Sequence, residues 1–592
     1  MKQPSPLVPV FVLLATAAIV ADLFLLRILL LGVMVVLVYA AIPLPFGRPE
    51  ARSLLQRVGS RVARLPGDRF RLRARPSLAD VPTLGTPRSA VAPDLLRVFL
   101  IALVVRCIWV FVIPPWQAPD EPDHYVYVSH IVEQDQIPHP PYLPEPYYPK
   151  EVTYSWGFTL LGELSGVGQS ASHELPFLPI AHDYRVARTF ETSYRDRFSS
   201  AGARATAYSP LYYLLEAVPY WLFHDAPIVS RLFAVRCGSA VLGALSCIFG
   251  YLMAYELRRQ RRWGWALGLS MALMPMYVFT TSTVNNDAAM YLGATALIWL
   301  LIRTYQRDVL SRPLTFALGL VSGLALLAKP TVFPMAFVAG IVVLIKVFPA
   351  IRVFWLRARA ECLALGAYAA GALMVYGPWV VFRLYYYGNI GFAAVPVTAL
   401  FRLLSGTTSV GAASHSVSAS VPTAQTPVFA VSSLWSYLQY KRDGGWDHYH
   451  WLLIRSFWGN FGWLDAPMSD WVFRPIGIFY LVGIAGLAIQ LVLQPARRRG
   501  LLLLLSLVIA QAFFLFVIIG YWEGSRIGAD IGLQGRYFFP ILAPLLFLLL
   551  SGWDHLCGER PFALRVAPYL MLALNLVGLA TLLSRYYGVT FG

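Results

Sequence analysis

The chain has 592 residues, of which 57% are hydrophobic and only 13% charged, and its mean hydropathy is +0.59. A globular domain in water carries roughly a quarter charged residues, so this composition excludes a soluble protein. The net charge of +17 does not indicate nucleic acid, because the arginines sit in short stretches between apolar runs, as in the cytoplasmic loops of a multi-spanning membrane protein.

Taken in chain order, residues 7–24 and 28–45 read as a transmembrane hairpin broken near Asp22 and Arg27, so that 1–46 form an N-terminal unit. A single long anchor is the alternative; no small-residue cleavage site marks a signal peptide. Residues 47–94 hold ten Arg against four acids and read as a cytoplasmic linker, with Leu54–Leu65 lying on anionic lipid. The remainder, 95–592, is expected to be one all-α transmembrane bundle. Its first span, 95–113, precedes an outer loop, 114–205, with twelve acids against six basic residues and five of the ten His. Further spans are predicted at 229–257, 263–283, 287–305, 313–328, 332–348 and 362–382. After a second outer loop, 383–471, come 472–493, 500–521, 537–553 and 566–585. Basic turns such as Arg258-Arg259-Gln260-Arg261-Arg262 and Arg497-Arg498-Arg499 alternate on one side of these spans, which places the N-terminus inside. The five Cys (Cys107, Cys237, Cys247, Cys362, Cys557) show neither a disulfide framework nor zinc spacing. There is no Walker A and no GxGxxG, so energy is expected to arrive with the substrate or from a gradient.

The first outer loop opens with Pro114-Pro115-Trp116-Gln117-Ala118-Pro119-Asp120-Glu121-Pro122-Asp123-His124-Tyr125. Prolines at 119 and 122 are expected to stop the helix and hold the segment extended, exposing its side chains. A carboxylate there can lift a proton from an acceptor hydroxyl as it attacks, once partial burial and clustering raise its pKa. Alternatively, oxygen ligands hold a divalent cation against phosphate, or the segment is a charged helix cap in water.

From this segment onward the chain resembles a bacterial family of multi-spanning proteins of formally unknown function. That family in turn resembles the GT-C superfamily of glycosyltransferases, which use lipid-phosphosugars. The resemblance continues at Tyr208-Ser209-Pro210-Leu211-Tyr212-Tyr213, Ser230-Arg231-Leu232, Asn285-Asn286-Asp287, Ala328-Lys329-Pro330, Ser456-Phe457-Trp458-Gly459-Asn460-Phe461-Gly462-Trp463 and Gln534-Gly535-Arg536-Tyr537, in the family's order. It implies acids of the first outer loop, here Asp120 and then Glu121, as catalytic base, with Asp287 as a second acid. His124 would orient the carboxylate or bind phosphate. The implied donor is a sugar on a polyprenyl phosphate, with a glycan or lipid acceptor on the outer face of the cell membrane. Asp120, Glu121 and Asp287 would be the ligands of a cation, Mg or Mn, if one is used.

Other positions fit on physical grounds. Lys329 at the end of its span suits a lipid phosphate, or snorkels. Arg526 and Arg536 suit bidentate phosphate binding, or outer-leaflet headgroups. Arg231 is a ligand for substrate or a structural partner of a loop carboxylate. Trp435, Trp446, Trp451, Trp458 and Trp463 can stack on sugars or belt the interface, with Asp447, His448 and Asn460 as hydrogen-bonding neighbours. Tyr208, Asp123 and Asn286 complete the expected binding set. Residues 404–427 read as a mobile segment or lid. The expectation is a membrane glycosyltransferase building envelope glycan. The rivals are a lipid-linked glycan transporter or flippase and a polysaccharide polymerase or ligase. Acids that cluster in outer loops, with Glu216 the nearest exception, disfavour the transporter.

Overall fold

The computed structural model describes residues 88–140, 148–157, 197, 205–307, 309–353, 355–390, 434–443, 446–524 and 533–590. The N-terminal hairpin, most of the arginine-rich linker, the 404–427 segment and Arg526 lie outside them. The chain divides into two compact units, Met1–Arg97 and Val98–Gly592; of the first, only the opening of one helix is described.

The described chain is all-α. Its helices are α1 (Arg88–Val112), α2 (Glu121–Gln134), α3 (Lys150–Gly157), α4 (Leu211–Leu222), α5 (Ile228–Arg258), α6 (Arg261–Leu273), α7 (Pro275–Thr280), α8 (Asp287–Gln306) and α9 (Arg312–Ala328). They continue with α10 (Phe333–Val353), α11 (Trp355–Tyr387), α12 (Leu434–Asp443), α13 (Trp446–Trp458), α14 (Phe473–Leu493), α15 (Pro495–Phe513), α16 (Leu542–Leu556) and α17 (Phe562–Tyr587). Between α13 and α14, β1 (Asn460–Phe461) pairs antiparallel with β2 (Ala466–Pro467). Asp465 in this hairpin ties it to α17 through Arg585, 3.2 Å away.

Among the described residues, nine helices are long and apolar enough to cross a membrane. They match nine of the eleven spans expected after residue 94, and the other two differ for visible reasons. The predicted span 263–283 is not one helix: Met274 is extended and Pro275 opens α7. Proline removes a helical donor and forces the preceding residue out of the α region. The span predicted at 313–328 exists as α9, a shorter apolar helix of 17 residues.

Helices pack through small residues where backbones must meet. A Cβ on Gly319 of α9 would lie 2.0 Å from the carbonyl oxygen of Tyr368, and one on Gly371 of α11 would lie 2.4 Å from that of Phe316. With Gly323 one turn on, this is the close glycine-lined crossing expected where lipid supplies no hydrophobic drive.

The segment after α1 corrects an expectation. Residues 119–125 are not extended and exposed. Pro122 falls in the first turn of α2, where its missing N–H is not needed, and Glu121, Asp123 and His124 are all buried.

Candidate active site

The site is built on the turn joining α1 to α2. Arg236, fully buried on α5, donates to the carbonyls of Val110, Ile113 and Pro114 at 3.3, 2.6 and 2.9 Å, so it satisfies the C-terminal end of α1. The same guanidinium grips Glu121 at 2.7 and 2.6 Å. The backbone N–H groups of Trp116 and Val284 complete that carboxylate, donating at 3.1 and 3.0 Å. Glu121 therefore has both oxygens occupied inside the protein. It holds α1, α2, α5 and the approach to α8 together and has no capacity left to act as a base. This argues against Glu121 as the second candidate for the base, after Asp120.

Asp120 points the other way. Its backbone is left-handed, at φ 62°, a conformation that Asp tolerates better than most residues, and its side chain is 48% exposed. Trp116 is also left-handed, at φ 65°, and its carbonyl accepts a 2.9 Å bond from Trp463 Nε1. Trp463 thus buttresses the turn that presents Asp120.

Around Asp120 gather residues from four distant segments. Arg536, in the 3₁₀ turn Gly535–Ile541, stands 3.8 Å from its carboxylate. Asp287, the first residue of α8, pairs with Lys329, the residue after α9, at 2.5 Å. Burial works against the Lys329 charge, but Asp287 outweighs it and lifts its pKa above the usual lysine range. Lys329 also faces the ring of Tyr208 at 5.5 Å. His124 lies one turn along α2, its Nδ1 2.8 Å from the Tyr213 hydroxyl and its ring 5.8 Å from that of Tyr208. The fields of Asp120, Lys329, Asp287 and Arg536 all act on it. Burial dominates and lowers its pKa to about 4, so the imidazole is neutral near pH 7. Its neighbours place it to relay a hydrogen bond rather than to carry charge.

Asp120, His124, Tyr208, Asp287, Lys329 and Arg536, all expected at the site, thus share one place. Tyr213 and Tyr291 were not expected. Tyr291 donates to Asp287 at 3.3 Å and to the Arg536 carbonyl at 3.4 Å. It stands four residues after Asp287 on a helix, and that spacing was the available signal.

The other expected residues are elsewhere or otherwise engaged. Asp123 accepts from Tyr148 at 2.6 Å. Arg231 belongs to a separate buried network: it holds Glu151 through two nitrogens at 3.0 and 2.5 Å and donates to Tyr220, which donates to Glu133 at 2.8 Å. It is the structural partner of loop carboxylates rather than a residue of the cluster. Trp458 is buried with its ring edge against Tyr480 at 5.8 Å. Asn286 is fully buried beside Asp287, and neither atom of its amide finds a hydrogen-bond partner among the described residues.

The expected cation ligands do not fit a metal. Glu121 is taken by Arg236 and Asp287 by Lys329, which leaves Asp120 alone. Among the described residues no group of three His, Cys, Asp or Glu could hold an ion.

Residues 103–545 match a family described as predicted membrane protein (DUF2142). The chain belongs to that family. The match begins within α1 and ends within α16, so it takes in the whole cluster. No curated protein matches the chain. Among solved structures it is similar to the Archaeoglobus fulgidus oligosaccharyltransferase in the apo form, at 15% identity and a TM-score of 0.41, over 84% of this chain and 56% of the archaeal one. The oligosaccharyltransferase AglB of the same organism, in complex with an inhibitory peptide and a dolichol-phosphate, matches at 13% identity and a TM-score of 0.39, over 83% and 56%. The chain thus spans little more than half the length of these enzymes.

Proposed function

We propose that this chain is a membrane glycosyltransferase that takes a sugar from a polyprenyl-phosphate carrier and places it on an acceptor at the outer face of the cell membrane. The observation that carries the reading is a half-exposed carboxylate beside one buried cation, Arg536, and one largely buried cation, Lys329. Asp120 is open to a substrate, while Lys329 and Arg536 sit in a low-dielectric wall where a phosphate would meet them at greatest strength.

In this reading Asp120 accepts the proton of an acceptor hydroxyl as its oxygen attacks the anomeric carbon. The bond from that carbon to the phosphate oxygen breaks, and its electron pair leaves with the polyprenyl phosphate, which Lys329 and Arg536 stabilise. One displacement inverts the anomeric centre. Neutral His124 keeps charge off the near side of Asp120, and the Tyr291–Asp287–Lys329 chain fixes where the ammonium points. The face carrying the cluster is taken as the outer one because the basic turns lie at the opposite helix ends.

The test compares a deletion strain complemented with the wild type or with Asp120→Asn at equal expression, reading envelope polysaccharide and lipid-linked sugars. A sugar missing from the envelope in the variant, with its polyprenyl-phosphate donor accumulating, supports the assignment and names the substrate. An envelope restored in full by Asp120→Asn removes Asp120 as the base, and with it this mechanism.

A further inference from the structure

A second charged region lies at the far end of α8. That helix runs 20 residues from Asp287 to Gln306, about 28 Å, which is close to the thickness of a bilayer's hydrocarbon core. Beside Gln306 is a cavity of about 500 Å³ lined by Arg258, Lys346, Arg497 and Arg499, with no carboxylate in its wall. Leu501 and Phe547 are among its apolar lining. The cations come from three helices that are distant in sequence. Arg258 ends α5, Lys346 is on α10, and Arg497 and Arg499 stand in the first turns of α15, where the helix dipole also favours an anion.

Most of these groups are fixed in place. Arg258 donates to the Ser551 hydroxyl and lies between the rings of Trp263 and Phe547, 4.6 and 5.6 Å from their centroids. Lys346 donates to the carbonyl of Arg307 and faces the Tyr305 ring at 5.7 Å. Glu559, outside the cavity wall, holds Arg497 at 2.8 and 3.1 Å. Arg499 makes no hydrogen bond or ion pair with any described residue. Asp554 acts on Arg258 from α16, but the balance at the cavity remains positive.

We propose that this cavity binds the phosphate of an anionic phospholipid, with the cations on the headgroup and the apolar wall on its acyl chains. Four basic side chains at one membrane-proximal cavity are what such a headgroup requires, and a free phosphate would leave the apolar wall unused. The site is a full membrane thickness from the cluster at Asp287 and does not depend on the function proposed above.

The test uses the full chain purified into phosphatidylcholine nanodiscs. Phosphatidylglycerol or inorganic phosphate is titrated in, and bound lipid is counted by native mass spectrometry. Phosphatidylglycerol should be retained over phosphatidylcholine, with affinity falling about fivefold in R499Q and again in K346Q, and unliganded unfolding midpoints unchanged. Inorganic phosphate binding as tightly as phosphatidylglycerol, and lost in R499Q, would overturn the lipid as the source. Equal retention of both lipids, or phosphatidylglycerol binding unaffected by both substitutions, would overturn the site itself.

Discussion

Two groups of buried charges stand in the same part of this molecule and differ in one respect. Around Arg231, every strong group is answered by another: Glu151 takes two of its nitrogens, Tyr220 a further bond, and Glu133 receives Tyr220 and His224. Around Asp287 the groups are just as deeply placed, but Asp120 is left half open beside Arg536. A saturated network orders a loop; an unsaturated one at a surface can receive something. The same contrast is repeated between sequence neighbours, since Glu121 accepts four hydrogen bonds, whereas the half-exposed Asp120 carboxylate has, among the described residues, one ion-pair partner, Arg536.

This contrast separates activity from stability, and substitutions can sharpen or break it. The largest effect on folding is expected for Arg236→Met, which strands Glu121 and the end of α1. Breaking one partner of a buried pair costs about 3–5 kcal/mol, so a sharply lower unfolding midpoint and low yield in detergent should follow. Next comes Lys329→Met. If the cation steadies a leaving phosphate, turnover of lipid-linked donor should fall on the order of 10²–10³-fold, and unchanged turnover would retire that role.

A third effect is in pH. His124 titrates near pH 4 when folded and near 6.5 when unfolded, because burial disfavours its charge. Between those values the unfolded chain binds the proton and the folded one does not. Stability is therefore full above pH 6.5 and falls as pH drops toward 4, by roughly 3 kcal/mol in total. Unfolding midpoints taken from pH 7.5 to 4 should show this slope in the wild type and lose it in His124→Gln. The smallest effect is expected for Asp470→Asn, which removes the exposed pair with Arg455; the change should be below about 1 kcal/mol and vanish in high salt.

Much of this was legible in the sequence, for identifiable reasons. Apolar length located the spans, and where it failed, at 263–283, Pro275 was the residue that mattered. The acidic turn stood out because three carboxylates and a histidine lie within five residues, with Pro119 just before them and Pro122 among them. Which carboxylate is free did not, because the answer lies in Arg236, 115 positions from Glu121. Arg231 and Lys329 look alike in sequence, each a single cation at a helix end. Only the fold sends one to Glu151 and Glu133 and the other to Asp287. Tyr291 could have been found from its spacing, four residues after Asp287 on one helix, whereas Tyr213 was hidden because nothing local in the sequence shows that its hydroxyl reaches His124.

If Asp120 acts and Glu121 supports, one paired measurement separates the two. Asp120→Asn and Glu121→Gln are purified in parallel, and each is assayed for unfolding midpoint and for turnover of the polyprenyl-phosphosugar pool of the host membrane. Asp120→Asn should keep the wild-type midpoint and lose about 10²–10⁴-fold in turnover, whereas Glu121→Gln should lose stability, with turnover per folded molecule largely kept. A stable Glu121→Gln protein without activity, alongside an active Asp120→Asn, would reverse these two roles.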